Sequence, residues 1–178
     1  MKSKKCKHCK KEFKPIRPLQ YLCGYSCATK YAKASKKAKE QAEKQKVKKI
    51  KESLLTHKDY LKMLQTVFNA YIRLRDKNLG CISCGDKTRQ FHAGHYRSVG
   101  SAPHLRFNEL NVHKQCAKCN TYLHGNLIDY RINLIKKIGL ESVEALEQNN
   151  DNFKLSIPEI KEKIKEYKQR IKQLKDEI

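Results

Sequence analysis

The sequence predicts a small, mostly helical α+β protein with two zinc-binding modules. Eight cysteines form four close pairs, long stretches without glycine or proline are rich in helix-forming residues, and candidate strands are confined to the region between the last two cysteine pairs. A chain of 178 residues is long enough for one main domain with appendages. The expected order is a four-cysteine zinc module, a long basic helix, a central domain with the second zinc site, and a C-terminal heptad helix.

The cysteine spacing predicts two structural zinc ions. Each pair has C-x2-C or C-x3-C spacing, and tetrahedral zinc takes four thiolates from two such turns. No apolar segment follows the basic N-terminus, so the chain is expected in the reducing cytosol, where disulfides are disfavoured. Paired redox thiols are the alternative, but a redox C-x-x-C would not recur several times. The first site comprises Cys6, Cys9, Cys23 and Cys27, and the second comprises Cys81, Cys84, Cys116 and Cys119.

Residues 1–27 are predicted to form the first zinc module, in which the metal supplies the energy that a tiny core lacks. Residues 28–57 are predicted to form a lysine-rich helix or linker, because residues 28–53 contain ten Lys, three Glu and neither Gly nor Pro. This segment is either a solvated face or a phosphate-contacting surface. The candidate phosphate contacts are Lys36, Lys37, Lys48 and Lys49.

Residues 58–140 are predicted to form the main domain. Apolar residues recur at intervals of 4, 3, 4 and 3 from Tyr60 to Leu74, which indicates an amphipathic helix over 58–77. Thr56 or Asp59 is expected to cap this helix. Short strands are expected at 90–99 and 105–110, and the helix that follows Cys119 is expected to break at Gly125 and to end at Gly139.

Residues 141–178 are predicted to form a short helix and then a longer one. Ser156 and Glu159 form a capping box at the start of the second helix. Apolar residues then follow a heptad pattern from Ile157 to Ile178. This seam either forms a homodimer through Ile157–Ile178 or packs antiparallel on the basic helix of the same chain, and the sequence leaves both open.

The charge predicts a polyanionic partner. The chain has 40 Lys and Arg against 18 Asp and Glu, a formal net charge of +22. Such an excess favours nucleic acid, because binding releases the counterions condensed on the phosphates. A generic basic surface, such as that of a ribosome-associated protein, is the alternative. No apolar run of about 18 residues is present, so no membrane span is expected.

The region between Cys84 and Cys116 contains an unusual concentration of histidine and asparagine. Hydrolysis of a phosphodiester needs an activated water and neutralised phosphate charge, which one histidine base and one divalent ion supply. The order here is a cysteine turn, a hairpin with His92 and His95, a loop with Asn111 and His113, a second cysteine turn, and Asn120 at the start of a helix. This order suits a metal-dependent nuclease.

These residues resemble a known nuclease motif. The series C-x2-C, AGHY and N-x-H-x-Q-C-x2-C-N is similar to the HNH, or ββα-metal, nucleases with a four-cysteine zinc. The resemblance implies that His95 is the general base, that Asn120 binds a catalytic divalent ion, Mg²⁺ or Mn²⁺, and that Asn111 braces the hairpin loop. It also lets His113 approach the metal or a phosphate.

One departure from this motif concerns the residue before His95. HNH enzymes often carry an acidic metal ligand there, whereas this chain has Gly94. His92 is therefore the predicted second metal ligand, and histidine favours softer ions than Mg²⁺. The residues expected to contact phosphates around the site are Arg97, Arg106, Lys114, Lys118 and Arg131. Solvated charges are the alternative for each, and Arg106 has a second alternative as a brace through Glu109.

Over nearly its whole length the sequence resembles the NinG (Rap) recombination proteins of lambdoid phages. The similarity rests on CISCG, AGHYRS, AP-x-LRFNE-x-N-x-HKQCAKCN, GNL and the N-terminal four-cysteine module. It implies an endonuclease for branched DNA such as Holliday junctions and D-loops, acting in the cytoplasm of a phage-infected or prophage-carrying bacterium. A non-catalytic, zinc-dependent nucleic-acid-binding protein is the alternative, and a coiled-coil adaptor is a third.

Overall fold

A computed structural model describes residues 2–177 as a mostly helical α+β chain that divides into two compact units, Met1–Leu55 and Thr56–Ile178. Among the helices of these residues, none combines the length and apolar character that crossing a membrane requires. The elements are β1 (Lys4–Lys5), β2 (Glu12–Phe13), α1 (Tyr25–Ser53), α2 (His57–Arg75), β3 (Phe91–His95), β4 (Val112–Cys116), α3 (Leu127–Ile138), α4 (Leu140–Gln148) and α5 (Ile157–Asp176).

The N-terminal unit is a small cysteine module followed by one long helix. Strands β1 and β2 pair antiparallel, with Lys4 opposite Phe13. Helix α1 begins at Tyr25, earlier than predicted, so its first turn includes Cys27. None of its 29 residues is buried, as expected of a solvated face. The predicted lysine contacts with phosphate remain predictions, and all four of those lysines are exposed.

Helix α2 begins the C-terminal unit, and its start follows from its sequence. Thr56 caps it by accepting a hydrogen bond from the N–H of Asp59, and the Asp59 carboxylate accepts one from the N–H of Thr56 at 2.9 Å. The two candidate caps thus act together in a capping box, which satisfies N–H groups that the first turn leaves free. Its buried residues are Tyr60, Leu64, Phe68, Tyr71 and Ile72.

Helix α5 packs against α2 within the same unit. Lys161 lies over the ring of Tyr60 and Arg170 lies over the ring of Tyr71, so the two helices run parallel. This differs from the predicted antiparallel packing on the basic helix. Ile178, the last residue of the predicted seam, lies outside the described residues, and the homodimer remains a prediction. The seam residues buried in this packing are Ile160, Ile164 and Tyr167.

Strands β3 and β4 form the antiparallel hairpin that carries the candidate site. His95 pairs with Val112 at one end, and Phe91 pairs with Cys116 at the other. The expectation of a second strand at 105–110 is wrong, because Pro103–Leu105 forms a 3-10 turn and the strand begins only at Val112. Strand β4 ends at Cys116 and therefore leads directly into the final cysteine turn.

The segment after β4 is less helical than predicted. Residues Lys118–Tyr122 form a single π-helical turn, and α3 begins only at Leu127. The interruption arises because His124, Gly125 and Asn126 all adopt positive φ, which a right-handed helix cannot contain. Helix α3 ends at Gly139 with φ of +85°, as predicted. The core beside the hairpin comprises Ala102, Leu105, Tyr130, Leu134, Val143 and Leu146.

A buried carboxylate joins α2, β4 and α3. Asp76, at the C-terminus of α2, accepts hydrogen bonds from Arg75 at 2.8 Å, from the N–H of Lys114 at 3.1 Å and from Lys137 at 3.2 Å. Burial opposes its ionisation, but the Arg75 guanidinium and the N–H of Lys114 outweigh that effect and hold the pKa of Asp76 well below its ordinary value. The carboxylate is therefore charged at neutral pH and fully partnered.

We expect Asp76→Asn to lower the free energy of unfolding by about 3 kcal/mol or more, because a neutral amide at this buried position cannot accept from all the donors that surround it or balance the charges of Arg75 and Lys137. Urea unfolding at pH 7 measures this, since a depressed pKa makes the contribution fully present at that pH. The matched control is Glu162→Gln on the exposed face of α5, for which a change within about 0.5 kcal/mol is expected. Equal effects of the two variants would contradict the role of Asp76.

Candidate active site

The second four-cysteine group closes one end of the hairpin. Cys81, Cys84, Cys116 and Cys119 bring their sulfur atoms within 4.8 Å of one another. Gly85, with φ of +74°, allows the tight turn after Cys84, and its N–H donates to the Cys81 carbonyl at 2.8 Å. Four sulfurs in one small cluster are the donor set of a structural zinc. The group could therefore hold a zinc ion that fixes the turn before Asn120.

The first four-cysteine group has the same donor set in the N-terminal unit. The sulfur atoms of Cys6, Cys9, Cys23 and Cys27 also lie within 4.8 Å of one another. Burial opposes ionisation of Cys6, but backbone N–H groups lower its pKa to about 6, whereas hydrogen bonding to Cys27 helps to raise the pKa of Cys23 to about 12. Close thiols cannot all ionise by themselves, so a bound cation fits this cluster.

A cavity of about 540 Å³ lies beside the hairpin, and His95, Asn120 and His124 are among its lining residues. His95 ends β3, Asn120 lies in the π-helical turn, and His124 lies in the left-handed turn after it. Two of these three were predicted site residues. The motif did not point to His124, although its i, i+4 spacing from Asn120 could have placed both on one face of a helical turn.

His95 is held as a neutral imidazole. Its Nε2 lies 3.0 Å from the carbonyl oxygen of Arg106, which can only accept, so Nε2 carries the proton and Nδ1 has the free lone pair. Burial lowers the pKa of His95 below its ordinary value. A histidine in this state can accept a proton through Nδ1 at neutral pH.

Asn111 braces the loop that supplies this carbonyl. Its fully buried side chain accepts a hydrogen bond from the N–H of Arg97 at 2.8 Å, and it donates to the carbonyls of Arg97 and Leu105 at 3.0 and 3.2 Å. The amide thus joins the two sides of the loop between β3 and β4. These are the contacts of a positioning residue, because the side chain does not line the cavity of His95.

His92 lies behind Asn120. Its Nδ1 is 3.1 Å from the amide nitrogen of Asn120, and it is not among the residues that line the cavity. With the amide nitrogen donating to His92, the Asn120 oxygen is left available for other partners. Nδ1 of His92 is therefore engaged by Asn120, and the role of His92 as a direct metal ligand stays a prediction.

The absence of a side chain at Gly94 has a steric reason. A Cβ atom there would lie 2.8 Å from the Cβ of Gln115 and closer still to its amide oxygen. Gln115 is fully buried, and its amide nitrogen donates to Ser83 at 2.8 Å and to the carbonyl of Gly125 at 2.6 Å. Gln115 therefore fills the space of the expected acidic residue and uses it to hold the turn that carries His124.

His113 does not belong to this cavity, which corrects its predicted approach to the metal or a phosphate. It is buried, its Nδ1 accepts from Arg75 and Lys137 at 3.0 Å each, and its Nε2 lies 3.1 Å from the carbonyl of Leu110. Burial lowers the pKa of His113 as well. Both ring nitrogens are occupied, so its role is structural.

The predicted phosphate contacts divide into exposed and internally bonded residues. Lys118 is exposed, but Lys114 is only 6% exposed and donates to the Lys77 carbonyl at 3.0 Å, so its predicted phosphate contact is corrected. Arg97 donates to the carbonyl of Leu146 at 2.8 Å. The side chain of Arg106 donates to Gln65 at 2.6 Å, not to Glu109, and Arg131 pairs with Glu147 at 2.7 Å.

We expect the purified chain to hold two zinc ions, and Cys116→Ser to hold one, because three remaining thiolates leave the second site incomplete. Elemental analysis of dialysed protein measures the metal content. Ser26→Ala, an exposed residue between two cysteines of the first group, serves as the control and should retain both ions. Two ions in Cys116→Ser would be incompatible with the assignment.

We expect Gly94→Ala to lower the free energy of unfolding by about 1–3 kcal/mol, because the new methyl group overlaps Gln115. The added cost should largely disappear in a Gln115→Gly background, because glycine removes the Cβ of residue 115 as well as its amide, and a double-mutant cycle of urea unfolding measures this. Gly100→Ala is the control, since a Cβ there meets nothing closer than 3.8 Å. Equal costs of Gly94→Ala in both backgrounds would exclude this steric explanation.

Comparison with known proteins identifies relatives over most of the chain. Residues 1–177 match the protein family described as "Bacteriophage Lambda NinG protein". The chain is 45% identical to Protein ninG of Escherichia phage lambda, over 89% of this chain and 86% of that protein. It is 43% identical to Protein ninG of Salmonella phage P22, over 89% and 87% of the two chains. No solved structure matches the chain.

Proposed function

The chain belongs to the NinG family, and from that premise we propose that it is a metal-dependent endonuclease that cleaves branched DNA. The observation that carries this proposal is the cavity shared by His95, Asn120 and His124. The hairpin, the two cysteine turns and the Asn120 turn then correspond to an HNH core whose final helix is reduced to one turn.

His95 acts as the general base. A water molecule that attacks the phosphorus atom gives its proton to Nδ1 of His95, because Nε2 is committed to the Arg106 carbonyl. The lowered pKa of His95 keeps Nδ1 unprotonated at neutral pH. Asn111 contributes by fixing the loop that bears this carbonyl, so the imidazole keeps one orientation.

Asn120 and His124 are the residues that would hold the divalent ion. An amide oxygen and an imidazole on one wall of an open cavity fit an ion that must also accept water and phosphate oxygens. Such an ion, when bound, neutralises phosphate charge and stabilises the leaving oxygen. His92 orients the amide of Asn120 from behind, and imidazole in the ligand set favours Mn²⁺ over Mg²⁺.

The substrate class rests on charge and on the family resemblance. The formal net charge of +22 and the exposed lysines of α1 suit phosphate contacts that do not read sequence. Branched DNA is the substrate that the resemblance to the NinG (Rap) proteins implies. The homodimer, if formed, needs a surface other than the α5 residues already buried against α2.

The test is cleavage of a labelled four-way junction and a matched linear duplex, with Mg²⁺ or Mn²⁺. We expect the wild type to cut the junction, and His95→Ala to lose about 100-fold or more in rate while it binds the junction with unchanged affinity. His8→Ala removes an exposed imidazole from the other unit and should cut normally.

Two results would contradict the proposed nuclease or its base. A wild-type chain with both zinc ions that binds the junction but cuts it with neither metal would be a non-catalytic, zinc-dependent nucleic-acid-binding protein. Cleavage that persists in His95→Ala would assign the base to another group.

A further inference from the structure

A second cavity of about 580 Å³ lies in the C-terminal unit, and it is separate from the cysteine groups. Val99 lines both this cavity and that of His95, so the two are neighbours. Its walls come from the start of α2, the loop before β4, the segment between α4 and α5, and the first half of α5. Lining residues with aromatic or charged side chains include Arg106, Phe107, Asp151, Phe153, Lys154 and Lys163.

The wall formed by the segment after α4 is anchored on both sides. His104 lies 3.1 Å from the Asn149 carbonyl, and Nε2 of His57 lies 2.7 Å from the Leu155 carbonyl. Arg97, from the loop beside the candidate active site, also donates to Asn149. Residues 151–154, which lie between these anchors, belong to neither a helix nor a strand and are exposed. Side chains in the middle of the segment thus face solvent at a fixed location.

The chemistry of the lining suits a flat ring with an anionic group attached. Phe107 is held by an edge contact with Phe68, with ring centroids 5.6 Å apart, whereas Phe153 is 61% exposed. An exposed phenylalanine at a cavity mouth offers a stacking face that the fold itself does not use. Lys154 and Lys163 line the same cavity and outnumber its one carboxylate, that of Asp151, so the charge of the lining is net positive. Aromatic faces combined with cations are the elements of single-strand recognition.

We propose that this cavity binds an unpaired nucleotide of the DNA, with the base stacked on Phe153 and the phosphate near Lys154 and Lys163. The inference rests on the proposed function only in taking DNA as the ligand. A volume of about 580 Å³ is within the range of ligand pockets and exceeds what one base requires. Its position beside the His95 cavity lets an unpaired nucleotide next to a branch enter it while the adjoining strand reaches His95. Branched DNA would then be selected because base pairs at a branch point open more readily than those inside a continuous duplex and so offer an unpaired nucleotide at a lower energetic cost.

The experiment measures binding in the full-length, zinc-loaded chain with His95→Ala, so that cleavage does not interfere. Fluorescence anisotropy at one fixed salt concentration compares a duplex carrying a short single-stranded gap with the same duplex fully paired. We expect Phe153→Ala to weaken binding of the gapped DNA about tenfold, with less than a twofold change for the paired duplex. Phe153→Trp should restore binding of the gapped DNA, because it keeps a stacking face.

Met63→Ala is the matched control, since it removes an exposed apolar side chain of α2 that does not line the cavity. Thermal unfolding of each variant shows whether the fold is kept. If Phe153→Ala binds each DNA with the same affinity as its parent, the proposal is overturned and the cavity is assigned to another ligand. An equal loss on both DNAs, or no DNA binding at all, would overturn it too.

The binding measurement tests the nucleotide site independently of DNA cleavage. A chain that loses gapped-DNA binding with Phe153→Ala, but never cuts DNA in its wild-type form, would support the nucleotide site and refute the endonuclease. A chain that cuts junctions normally with Phe153→Ala and shows no selective loss of gapped-DNA binding would refute the nucleotide site alone.

Discussion

The mutual proximity of Cys81, Cys84, Cys116 and Cys119 is the constraint on which the candidate active site depends. Four sulfur atoms within 4.8 Å of one another would repel one another as thiolates, and the cluster could hold a zinc ion that offsets this repulsion. The cluster ties the end of β4 to the turn before β3, and it begins the turn that carries Asn120. A hairpin of two five-residue strands has too little core of its own to fix these positions.

The buried His113 and the half-buried His95 show how the fold separates structure from chemistry. His113 has both ring nitrogens occupied and belongs to the network around Asp76, which docks β4 against α2 and α3. His95 has a partner at Nε2 and lines an open cavity. Burial lowers the pKa of both, so the pKa does not distinguish them. The two histidines differ because only His95 has a free ring nitrogen and lines the cavity.

Gly94, the residue before His95, affects which elements supply the candidate metal ligands. Gly94 leaves room for Gln115, which crosses it and holds the carbonyl of Gly125 at 2.6 Å. The turn fixed in this way has three successive residues with positive φ, a conformation that persists only where surrounding contacts enforce it. It brings His124 to the cavity wall, so both candidate ligands follow the cysteine cluster and neither comes from β3.

The sequence by itself determined the features that depend on neighbouring residues: the two four-cysteine groups, the Thr56 cap of α2, the Gly139 end of α3 and the limits of α5. Cysteine spacing, capping chemistry and helical periodicity act over a few residues and can therefore be predicted. Only the tertiary structure decided that His92 lies behind Asn120, that Lys114 is buried and that α5 pairs with α2. These outcomes depend on strand register, where a shift of one residue reverses every side chain, and on contacts between segments far apart in the chain.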